Sequence, residues 1–266
     1  MNNPAQAILA EHKFSDYAIF IFRTLLGSVL VLGGIKLLLN TPESAANLLS
    51  PTGFVRPEMA SFIPDAYFFA ITVGIVELLV GSVTISGFKT KYVSIAGALL
   101  FLLFIVMSPI FGYTRLFIDV ALWILYISLA LVGGGKYSLD GFLGKNYHGF
   151  TKNIKWFYLL VRVGVSFTFF MSIFFPQFNS DGLQFMPMTL SAVLGSLLII
   201  GLPNRGVAIA ATIVLIAVAV MNVPEHTILN TKRAIGLLGG TMALSILGVG
   251  SYSISSLIRR KKLLVW

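Results

Sequence analysis

Charged residues in this chain come in short clusters, and the stretches between the clusters are apolar and long. A helix of about 17–25 apolar residues crosses a hydrocarbon core of ~30 Å. Eight such stretches can be read, near Tyr17–Leu39, Tyr67–Ser86, Val93–Phe111, Leu116–Val132, Trp156–Phe175, Phe185–Leu202, Val207–Val223 and Ala234–Ile254. In lipid the backbone must satisfy its own hydrogen bonds, which leaves helices and closed barrels. The runs are continuous and lack the period-two alternation of barrel strands, so helices are predicted. Only 11% of the 266 residues are charged, against about 25% in soluble domains. The expected class is an all-α polytopic membrane protein with about eight transmembrane helices and almost no soluble domain.

The net charge of +9 would suggest nucleic acid in a soluble protein. Here the basic residues sit at helix ends, where Lys and Arg set membrane orientation. Twelve of them fall on the side shared by both termini; four, Arg56, Arg115, Lys232 and Arg233, fall on the other. That asymmetry places both termini in the cytoplasm and the protein in the inner (plasma) membrane. No basic stretch is interleaved with aromatics in a soluble segment, so nucleic acid is not an expected partner. The first residues lack a basic start and run into a stretch long enough to span, so no cleaved signal peptide is expected. The chain has no cysteine, which excludes thiolate catalysis, zinc–thiolate sites and iron–sulfur ligation.

The two halves resemble each other. The stretch from Gly81 aligns without a gap on that from Gly195, placing Gly87 on Gly201, Lys91 on Arg205, Ala96 on Ala210 and Met107 on Met221. GGGKYSLDGFL from Gly133 matches GVGSYSISSLI from Gly248, and the first spans align through Arg23 and Arg162. The expectation is a duplication with boundaries 1–145 and 146–266. Four helices per copy is an even number, so the copies share one orientation. This is a parallel repeat, unlike the inverted repeats common in alternating-access transporters.

The first half resembles the DoxX family of small four-helix membrane proteins. The likeness rests on RTLLGSVLVLGGIKL in the first span, on GIVELLVGSVTISGFKTK with Glu77 and Gly81 in the second, and on the GGGKYSLD ending after the fourth. It covers Tyr17–Leu143 and reaches the second half only through the duplication. The family takes its name from a membrane subunit of a quinone-linked sulfur oxidoreductase. The resemblance therefore implies fold strongly and function weakly.

Ionisable groups inside a bilayer cost about 2.5–3.5 kcal/mol each at the centre, so each is a functional candidate. Glu77 is expected near the midplane, as a proton carrier, a hydrogen-bond partner for a quinone head group, or half of an internal ion pair. Gly74 and Gly81 flank it and let a neighbouring helix approach. Arg23 is expected to pair with Glu77 or to extend to the head groups. Lys36 and Asp119 lie near the outer surface and meet if their helices are neighbours; Tyr113 and Arg115 would then add to a polar outer cavity. Glu77 aligns with Ser191 and Asp119 falls on or beside Ala234, so in the second half these groups are mostly absent and only Arg162 persists. The resemblance transfers Arg23, Lys36, Glu77 and Asp119.

Asp140 is expected to cap a short interfacial helix after the glycines. His12, His148 and His226 lie in or beside loops, so neither intramembrane haem nor a metal site is expected. No covalently bound cofactor is expected; a quinone is the candidate ligand, with the lipid bilayer and other membrane or periplasmic subunits as partners. The expected function is an integral membrane subunit of a redox or quinone-associated complex with a lipid-side pocket in the first repeat. The alternatives are a non-catalytic assembly subunit of another envelope complex and a small-solute or lipid transporter. Whether the chain is an enzyme is left open.

Overall fold

The computed structural model describes residues 4–48, 55, 57–108, 116–144, 149–174, 188–201, 204–222 and 232–248. Every regular element among them is a helix. In chain order these are α1 (Pro4–Leu39), α2 (Thr41–Leu48), α3 (Pro57–Ala60), α4 (Ala66–Ser86), α5 (Thr90–Met107) and α6 (Leu116–Val132). They continue with α7 (Leu139–Phe142), α8 (Gly149–Phe174), α9 (Met188–Ile200), α10 (Asn204–Asn222) and α11 (Lys232–Leu247).

Among the described residues a helix overlaps each of the eight apolar stretches. Three of them, Asp16–Leu39, Ala66–Ser86 and Thr90–Met107, are long and apolar enough to cross a membrane. The apolar parts of α6, α9, α10 and α11 among the described residues are shorter. The outward faces carry the signature of a lipid environment. Along α5, Tyr92, Ile95, Leu99, Leu103 and Val106 are exposed, and along α10 so are Ile209, Ile213, Ile216 and Val220. In water such continuous apolar stripes would drive aggregation. In a bilayer they are the solvated surface. The chain is an all-α membrane protein.

Local chemistry sets the helix ends. The Asp65 carboxylate accepts from the backbone N–H groups of Tyr67 (2.8 Å) and Phe68 (3.1 Å) and so starts α4. The helix stops at Gly87, whose φ of 74° is the left-handed conformation that glycine adopts at least cost. Its N–H closes the last turn onto Val83 O and Thr84 O.

The long helices form one bundle. α1 packs mainly on α4 and α11, α6 on α5 and α8, α8 also on α9, and α10 on α11. One apolar core runs through both halves of the chain, joining Leu26, Leu122 and Leu125 to Phe157, Val161, Leu198, Leu215 and Leu244. Part of the segment between α1 and α4 packs on the bundle. α2 lies against α4, and Val55 and Ile63 form a small second core with Ala70 and Met107.

Candidate functional site

The buried face of α4 is Ala70, Gly74, Glu77, Gly81 and Thr84, a stripe at helical spacing. Most of it is small, and the reason is α1. A Cβ on Gly34 would lie 2.5 Å from Gly74 O, and one on Gly81 would lie 2.7 Å from Gly27 O. The two backbones therefore touch on either side of Glu77, as expected of small residues at a membrane helix contact. This contact removes Glu77, 4% exposed, from lipid.

Tyr126 on α6 organises the interior of the first four long helices. Its side chain is fully buried, its ring occupies the space left open at Gly97, and Phe101 packs 5.5 Å away. Its hydroxyl donates to Leu26 O on α1 (3.3 Å). It also lies within hydrogen-bonding reach of Thr84 and within electrostatic reach of Glu77. A phenol in a dry core needs such partners. The sequence analysis passed over it, although a lone tyrosine in the middle of an apolar run is a legible signal.

Thr84, within reach of the Tyr126 hydroxyl, gives an approximate common height for placing the charged groups. Glu77 precedes Thr84 by seven residues on the same stripe of α4. Asp119, which is fully buried, precedes Tyr126 by seven residues on the buried face of α6. α4 and α6 run in the same direction, and seven residues is about 10.5 Å. Helix geometry therefore puts the two carboxylates at a similar level, beyond Tyr126 on the side away from the α4–α5 turn. Lys36, half-buried, continues the α1 stripe of Leu26, Val29 and Gly33. Helix side chains lean toward the N terminus, which brings its ammonium down toward that level.

Arg23 goes elsewhere. The pairing with Glu77 expected from sequence is not what the fold builds. The guanidinium, 1% exposed, donates from Nη2 to Tyr137 O at 2.8 Å and stacks 5.7 Å over Phe20. Its Nη1 fills the space where Gly87 lacks a side chain. Gly87 is ten residues from Glu77, about 15 Å along α4, so side-chain length alone cannot close the gap. Nor does Arg23 extend to the head groups, since it is enclosed by protein.

The GGGKYSLD ending is a clamp at the α4–α5 turn. Ser138, not Asp140, caps the short helix α7, accepting from Gly141 N at 3.0 Å. Asp140 instead reaches back fifty residues and accepts from Lys89 N and Thr90 N, both at 2.9 Å, which caps α5. Lys89, with φ of 45°, could not offer its N–H this way in a continuous helix. Lys136 N donates to Asp16 at 3.2 Å, and the Tyr17 and Tyr137 rings stack 4.7 Å apart. The hydrogen bond with Tyr17 raises the Tyr137 pKa above that of an ordinary phenol. Substituting Asp140→Ala leaves the α5 N terminus uncapped and should cost about 1–2 kcal/mol. Thermal unfolding of the purified protein should show a lowered Tm, with Asp140→Asn retaining part of the stability.

In the second half Arg162 persists and is buried; its guanidinium donates to Leu198 O at 3.0 Å and to Ile199 O. Ser191 and Ala234, at the positions aligned with Glu77 and Asp119, are buried without charge. Tyr113, Arg115, His148 and His226 lie outside the described residues, as does the side chain of His12.

The stretch that carries Arg23, Lys36, Glu77 and the glycine contact is also the stretch recognised by comparison. Residues 18–109 match the DoxX family. The DoxX match runs from α1 through α5 and ends before α6, so Asp119, Tyr126 and the GGGKYSLD clamp lie beyond it. No curated protein and no solved structure matches the chain. DoxX proteins are membrane proteins with links to redox and quinone chemistry, in keeping with the lipid-facing surface described above.

Proposed function

We propose that this chain is an inner-membrane subunit of a redox or quinone-associated complex, with both termini in the cytoplasm. It holds a lipid-side pocket in its first four long helices. The observation that carries this is the burial of two carboxylates, Glu77 and Asp119, which helix geometry puts at a similar level. Enclosed carboxylates are costly in a bilayer and are functional candidates by default. Carboxylates and an ammonium can bind the carbonyl and hydroxyl oxygens of a quinone head group and exchange protons with it. Redox centres would be held by partner subunits, since the chain offers no thiolate and no intramembrane histidine pair for its own. Arg23 belongs to the clamp and is assigned no part in ligand binding.

A photoreactive quinone analogue tests this in native membranes. Labelling of the chain should fall at least about tenfold in Glu77→Gln and in Asp119→Asn, while Asp140→Asn, at the clamp, should label like the natural protein. Undiminished labelling of both carboxamide variants, or no labelling of the natural protein, would refute the proposal.

A further inference from the structure

The sequence registers of the repeat can be tested against contacts between the halves, which they were not built from. They place Leu25 on Gly164 and Ile124 on Gly239. In the structure a Cβ on Gly164 of α8 would lie 3.4 Å from the Ile124 Cβ of α6. A Cβ on Gly239 of α11 would lie 3.1 Å from the Leu25 Cβ of α1. These are the same contact made twice, with the roles of the halves exchanged. Leu125 and Gly240 are also equivalent to each other, and a Cβ on Gly240 would lie 3.5 Å from the Leu125 side chain. A contact between equivalent positions falls on a two-fold axis.

Contacts within each half repeat too. Gly81 faces Gly27 O, and its counterpart Gly195 faces O of Ser166, the counterpart of Gly27. Lys91 lies against Gly133, as Arg205 lies against Gly248. Arg23 packs at the C-terminal end of α4, and Arg162 binds carbonyls at the C-terminal end of α9. At the level of helices, α1 on α11 mirrors α8 on α6.

We infer that the chain is a dimer fused into one polypeptide. Among the described residues, α1, α4, α5 and α6 form one four-helix unit and α8, α9, α10 and α11 a second, related by a two-fold axis along the helices. The first unit presents a flank formed by α1 and α6, and its partner is a second unit of the same kind. That partner is built in. Unlike a second protomer it carries Ser191 and Ala234 in place of carboxylates, so one fused pair holds one charged cluster. The flank that would join two separate units is occupied within the chain, and the full chain is a monomer in the membrane. This inference is independent of the quinone proposal.

The absence of natural cysteine makes the test direct. The two Cβ separations, 3.4 and 3.1 Å, lie a few tenths of an ångström below the ~3.5–4.5 Å range of disulfides. Paired substitutions Leu25→Cys with Gly239→Cys, and Ile124→Cys with Gly164→Cys, are oxidised separately in native membranes. Both pairs should cross-link within one chain, to extents agreeing within about twofold. A cross-link in only one pair, or cross-links between chains, would overturn the two-fold arrangement. The unsubstituted chain supplies the second measurement. Two differently tagged copies expressed together should not capture one another after gentle solubilisation. Mutual capture abolished by widening the flank with Gly164→Leu would show the flank to be open, and the built-in partner would be wrong.

Discussion

Gly87→Ala should be among the most damaging single-methyl substitutions in this protein. Two costs coincide there. An alanine at φ of 74° carries a backbone penalty of about 1–2 kcal/mol. The added Cβ would also lie 1.5 Å from Arg23 Nη1, so the guanidinium must move. Moving it breaks the bond to Tyr137 O and leaves a charge enclosed, worth about 1.5–3 kcal/mol more. The expected loss is therefore about 3 kcal/mol or more, visible as a depressed Tm and poor recovery from membranes. Gly144→Ala separates the two costs, because Gly144 has φ of 67° with nothing within 4 Å of a new Cβ. It should show the backbone penalty alone. Equal losses in the two variants would mean that the Arg23 clash is relieved cheaply and that the clamp is soft.

That contrast shows what the sequence could and could not say. Helix class and position were legible because lipid imposes a length and an apolarity that few other constraints produce. The glycines around Glu77 were legible as a close contact because small residues at i−3 and i+4 define a groove whatever fills it. The destination of Arg23 was not. From the helix start, a long side chain reaches either way, and the choice depends on Gly87 and Tyr137, which are 64 and 114 residues away. Asp140 was misread for a similar reason. A carboxylate two residues into a short helix looks local, yet the free N–H groups it satisfies are fifty residues back at α5. The lone Tyr126 in its apolar run is legible as a buried phenol, but its partner Leu26 O on α1 is a hundred residues away and is not.

The largest coupling should appear between the charges that helix geometry puts at a similar level. Replacing Lys36 with methionine keeps most of its stem and removes its charge, leaving Glu77 and Asp119 at one height without the nearby cation. Alone it should cost about 2–3 kcal/mol, the scale of an unfavourable charge within a bilayer. Adding Glu77→Gln, or Asp119→Asn, removes one of the two carboxylates and should restore more than about 1 kcal/mol, a coupling that only groups in one electrostatic unit display. Arg23→Gln supplies the contrast. It should be costly by itself, because it empties the clamp, yet combine with Glu77→Gln additively to within about 0.5 kcal/mol, as distant sites do. Denaturant unfolding of the four single and three double variants measures the three cycles. Additivity in the Lys36 cycles would mean that the shared level is not a shared site. Strong coupling between Arg23 and Glu77 would restore the ion pair that the sequence suggested, and with it a site reaching from the middle of the bundle to the α4–α5 turn.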